Sequence, residues 1–115
     1  MTLEEYYVAI NGDYDQIFSQ LGDDDVILEF LNKFFVNDDV KKLGILLENK
    51  QYKEAFMVVH NIKGYGLNMA LTQLYTVADE LCNVLRNGKP PVDCIPLFKS
   101  LESVYDNMKT VFISI

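Results

Sequence analysis

The chain has 115 residues, half of them hydrophobic, enough to build the core of one domain without staples. A net charge of −7 argues against a nucleic-acid partner, because affinity for a phosphate backbone rests on clustered Lys and Arg. Two cysteines, Cys82 and Cys94, could close at most one bridge and have neither zinc-site nor redox-pair spacing, so reduced thiols in a helical core are expected.

The first residues carry Glu4 and Glu5 and lack both the basic cluster and the apolar run of a secretory signal, which predicts a cytoplasmic protein. Residues 3–10 and 14–21 read as short leading helices split by Asn11 and Gly12, a strong turn pair. Residues 24–36 are apolar almost all round, with Val26, Ile27, Leu28, Phe30, Leu31, Phe34 and Phe35. Burial by the rest of the fold, by the leading helices or by a second copy would each satisfy them. Residues 38–48 form another segment with Val40, Leu43, Ile45, Leu46 and Leu47, after a break at Asn37 and Asp38. Ala55, Val59, Ile62, Gly66 and Met69 make one helical stripe, and Leu71, Leu74, Tyr75, Ala78, Leu81, Cys82 and Leu85 make a second.

The longest uncharged stretch, 64–78, contains Asn68, Thr72 and Gln73 and falls short of the ~18 apolar residues of a membrane span; it reads as buried helix. Asn87, Gly88, Pro90 and Pro91 then stop the helix, Asp93 is placed to cap the next, and Pro96 is tolerated in its first turn. From Cys94 through Leu97, Phe98, Leu101, Val104, Tyr105, Met108, Val111 and Phe112, one face stays apolar over several turns. These lengths and short connections predict a single all-α domain over 1–115. Its architecture is an antiparallel four-helix bundle, with helices at about 24–49, 51–67, 70–87 and 93–113 and additional short N-terminal helices.

The sequence holds one histidine, His60. A lone histidine on a helix is ordinarily a surface or satisfied residue. At about 100° per residue, however, His60 lies roughly 140° from the centre of its helix's apolar stripe and points outward. Lys53, Phe56, Met57, Lys63, Gly64 and Leu67 share that face by helical spacing. An imidazole is a nucleophile near physiological pH, and Lys63 is placed to offset charge on phosphoryl oxygens. Gly64 costs about 1 kcal/mol relative to Ala inside a helix, which calls for a reason, and room for a phosphoryl group beside the ring is one. Lys53, Phe56, Met57 and Leu67 are candidates for a docking patch. No carboxylate cluster, second base or His/Cys set accompanies His60, so neither a metal site nor an independent active site is expected.

The run His60-Asn61-Ile62-Lys63-Gly64-Tyr65-Gly66-Leu67-Asn68-Met69-Ala70 resembles the signature of histidine-containing phosphotransfer (HPt) domains, a His-x-Leu-Lys-Gly core followed by small residues and a Leu-Gly pair. The likeness is close over about fifteen residues, and the helix order extends it over most of the chain. It implies phosphorylation on His60, with Lys63 and Gly64 supporting the phosphosite. The partners it implies are response-regulator receiver domains, which supply the aspartyl phosphate and its magnesium, or a hybrid histidine kinase. No cofactor or nucleotide site is implied, and the chain has no glycine-rich phosphate loop.

Two residues depart from the pattern. Tyr65 stands where the family has Ser or Ala, and crowding of the site by its ring would favour a module that binds receivers without phosphotransfer. Ala70 replaces the glycine of the Leu-Gly pair; if the turn there needs a positive φ, Asn68 is the residue expected to take it.

Overall fold

The computed structural model describes residues 1–88, 90 and 93–115, and Pro91, one of the expected helix stops, lies outside them. Among the described residues every regular element is a helix: α1 Leu3–Ala9, α2 Tyr14–Leu21, α3 Asp24–Asn37, α4 Asp39–Glu48, α5 Tyr52–Asn68, α6 Thr72–Leu85 and α7 Ile95–Phe112. None of them is long and apolar enough to cross a membrane.

Short polar side chains start most of these helices. Thr2 and Glu5 form a reciprocal capping box on α1, and the carboxylates of Asp13, Asp23 and Asp38 accept backbone N–H bonds in the first turns of α2, α3 and α4. Asp93 does the same just ahead of α7, accepting from the Ile95 N–H at 3.0 Å, with Pro96 in the first turn.

Three helices end in one hydrogen-bond pattern. At the end of α1 the Gly12 and Asn11 N–H groups reach back to Tyr7 and Val8. At the end of α4 Gln51 and Lys50 reach Leu46 and Leu47, and at the end of α5 Leu71 and Ala70 reach Gly66 and Leu67. These are Schellman closures, whose pivot residue takes the left-handed conformation and is most often glycine. Here the pivots are Asn11 (φ 58°), Lys50 (φ 58°) and Ala70 (φ 56°).

The segment 24–49 is not one helix. Asp38 adopts φ 49°, ψ 56°, ending α3 and capping α4 at once, because its short carboxylate tolerates the left-handed region while accepting from the Lys41 N–H at 3.2 Å. The break therefore falls where Asn37 and Asp38 place it.

Helix α4 packs on α5, α5 on α6, α6 on α7 and α7 back on α4, around one continuous apolar core. All five residues of the α5 stripe are buried, as are those of α6 except Tyr75, which is half-buried. Helix α1 lies against α2 and α7. Its Tyr6 and Tyr7 rings are fully buried, and their hydroxyls donate to the carbonyls of Met108 (3.0 Å) and Met69 (2.9 Å). The nearly all-apolar α3 buries Ile27, Leu31, Phe34 and Phe35 within the same chain and leaves Phe30 and Val36 outward. Both cysteines are free and buried, and burial pushes their thiols up.

Candidate functional site

Helix α5 carries His60 near its midpoint. Ala55, Val59, Ile62 and Gly66 face the core, which leaves His60 on the exposed side. The imidazole meets the Phe56 ring edge-on at 5.8 Å, one turn earlier. Met57 and Leu67 stand 60% and 56% exposed on either side, apolar surface that the core does not claim. Lys53 is exposed and Phe56 half-buried; with Met57 they form one wall of a groove whose other wall is Arg86, Asn87 and Gly88 at the end of α6.

Gly64 lies one turn past His60, and a Cβ built on it would meet no heavy atom within 4 Å. The space beside the imidazole on this side is open. Gly66 is the opposite case: a Cβ there would fall 3.0 Å from the Tyr75 N and 3.2 Å from its Cα, so this glycine lets the α6 backbone approach α5. The approach fixes the register of the helix pair. Gly66 faces Tyr75, Lys63 faces Asp79, and Lys53 and Phe56 face the 86–88 segment, which is an antiparallel arrangement.

Lys63 is not a free surface cation. Its Nζ lies 2.8 Å from Asp79 Oδ1 and 5.9 Å from the centroid of the Tyr75 ring, with the two charged side chains 25% and 34% exposed. The Asp79 carboxylate, as acceptor to the ammonium, holds Lys63 above the usual lysine range. Neither Asp79 nor Tyr75 belongs to the group expected from spacing along α5. Spacing along α5 carries no signal for them, because the turn at Ala70 sets which residues of α6 lie opposite Lys63.

Tyr65 does not crowd His60. Its ring stacks on Phe34 of α3 at 4.2 Å and 12°, and its hydroxyl donates to the Phe30 carbonyl at 3.1 Å. Burial against α3 pushes that hydroxyl far above the usual phenol range. The positive φ near the end of α5 belongs to Ala70 and not to Asn68, which remains helical. The Schellman closure needs its pivot two residues past the last helical one, and Asn68 comes too early. Among the described residues no group of three or more His, Cys, Asp or Glu side chains is arranged to hold a metal ion.

No protein-family model matches the chain, and no curated protein or solved structure matches it. What this face can do is therefore read from its own chemistry: an exposed imidazole with open space one turn along its helix, a tethered cation beside it, and apolar side chains flanking both.

Proposed function

We propose that the chain is a histidine phosphocarrier of a multistep phosphorelay, taking a phosphoryl group from a receiver-domain aspartate onto His60 and passing it to another receiver. In this reading α3 with α4, α5, α6 and α7 are the four members of an antiparallel bundle, and α1 and α2 are its N-terminal additions.

The observation that carries the reading is the pairing of His60 and Gly64. The one imidazole of the chain is exposed on a rigid helix, and the residue a turn later leaves empty space at a cost in helix propensity. In-line transfer needs that access. A ring nitrogen of His60 attacks phosphorus, the bond to the aspartyl oxygen breaks, and the carboxylate leaves with the electron pair. The carrier has no nucleotide site of its own in this reading and is not an independent enzyme. The positive φ of Ala70, where the related signature has glycine, is a second point of agreement.

A module of the same fold that binds receivers without transferring phosphate is the second reading, and one observation favours it: Lys63 is already committed to Asp79. The two readings separate when the purified chain is mixed with radiolabelled phospho-receivers and with a phosphorylated hybrid kinase. Acid-labile, alkali-stable label on the wild type and none on His60→Gln is expected. Binding by titration with no label on the wild type would establish the docking module instead.

A further inference from the structure

Four ion pairs join described residues, and three of them lie within single helices at three- or four-residue spacing: Lys33–Glu29, Lys42–Asp39 and Lys99–Glu102. Pairs of that kind sit on exposed surface and contribute little. Lys63–Asp79 differs on each count. It is the only one among the described residues that bridges two helices, it is the shortest at 2.8 Å, and its side chains are the most shielded of the set. It also lies one turn from the only imidazole, because side chains three apart on a helix are neighbours, about 5–6 Å between Cβ atoms.

Resting on the phosphocarrier reading, we infer that Asp79 is a positioning residue for the His60 phosphosite, masking the charge of Lys63 by drawing its ammonium toward α6. The ammonium has three N–H donors on a flexible stem. The Asp79 carboxylate holds the ammonium as an ion pair at 2.8 Å, and the Tyr75 ring supports the same pose from the α6 side. A phosphoryl group on His60 brings negative oxygens that compete with the Asp79 carboxylate for one cation. The net charge that Lys63 and Asp79 present together is zero, whereas Lys63 alone presents +1. Asp79 thus moderates how strongly the site draws and retains an anionic phosphoryl group, which suits a carrier that must release its cargo as readily as it loads it.

The test needs no partner protein. Phosphoramidate transfers its phosphoryl group to an accessible imidazole: a neutral ring nitrogen of His60 attacks phosphorus, the P–N bond breaks, ammonia leaves, and the second ring nitrogen keeps its proton. Loading of the full chain is followed by phosphorus NMR. Asp79→Asn and Asp79→Ser, each checked for an unchanged helical circular-dichroism spectrum, are expected to load about two- to fivefold faster than wild type, the range a partly exposed ion pair is worth. The same substitutions made with Lys63→Gln are expected to leave the rate of Lys63→Gln unchanged. A structural role for Asp79 would not depend on Lys63 in this way. Loading at or below the wild-type rate in both Asp79 variants overturns the inference, as does an equal rise with and without Lys63. Failure of transfer from phospho-receivers would remove the relay reading and leave this charge coupling standing, so the two outcomes are distinguishable.

Discussion

Gly64 and Gly66, two residues apart on α5, have opposite surroundings, and the same substitution should separate them. Alanine at 66 must push into the Tyr75 backbone, which cannot give as a side-chain tip would, and Gly66→Ala is expected to cost about 1–3 kcal/mol in denaturant unfolding. Alanine at 64 meets only open space and gains helix propensity, so Gly64→Ala is expected to raise stability by up to about 1 kcal/mol. If that space receives the phosphoryl group or the partner, the stabler variant should also load His60 more slowly; equal loading would leave Gly64 without a functional role. The outward direction of Gly64 and the inward one of Gly66 were both legible from helical spacing. The close neighbour of Gly66 was not, because one helix's periodicity carries no information about the register of the next. The pairing of Lys63 with Asp79 escaped for the same reason.

At the scale of elements, the breaks at Asn11–Gly12 and Asn37–Asp38 were legible, because these residue types favour turns and tolerate the left-handed region. Thr2, Asp13, Asp23 and Asp38 are residues whose short oxygens suit the cap, and each sits at one. The stops at Lys50 and Ala70 use residues that pay a steric penalty in the left-handed region, so no glycine advertises them. Position 50 is exposed and its side chain has no buried role, which makes it a clean site for relief. Lys50→Gly is expected to stabilise the protein by about 0.5–1 kcal/mol, the strain removed less the extra flexibility of the unfolded glycine. Asp38→Ala should act in the other direction, losing a cap while keeping the strained backbone, and is expected to cost about 1–3 kcal/mol. Chemical-denaturation midpoints at constant slope check both.

For the whole molecule, tyrosines set the response to alkali. The hydroxyls of Tyr6, Tyr7, Tyr65 and Tyr105 are pushed well above the usual phenol range by burial. Tyr14 is pushed up to about 12, chiefly by the hydrogen bond it donates to Asp24. The folded chain keeps these protons at a pH where the unfolded chain, with phenols near pH ~10, releases them. Stability from this source is therefore complete below pH ~10 and declines as the pH rises through that value toward the folded-state range. Denaturant midpoints should fall above pH ~10 while tyrosinate absorbance rises over the same pH range. A loss of stability that starts several units lower would mean that other groups control it. The all-helical class and the buried stripes of α5, α6 and α7 followed from periodicity alone. The placement of α1 did not, since seven residues with two tyrosines do not announce which distant carbonyls their hydroxyls will reach.

That placement bears on how the chain folds. The α5–α6 hairpin closes through one short turn and can form early, whereas the Tyr7 hydroxyl reaches the Met69 carbonyl across 62 residues of sequence, and the Asp13 N–H bonds to the neighbouring Ala70 carbonyl. Closing so long a loop is costly before the surrounding core exists, which makes the clasp over the α5 terminus a late event, formed after the transition state. Removing the Tyr7 hydroxyl as Tyr7→Phe should then leave the refolding rate nearly unchanged and speed unfolding, placing the full loss of about 1 kcal/mol on the unfolding limb of the chevron.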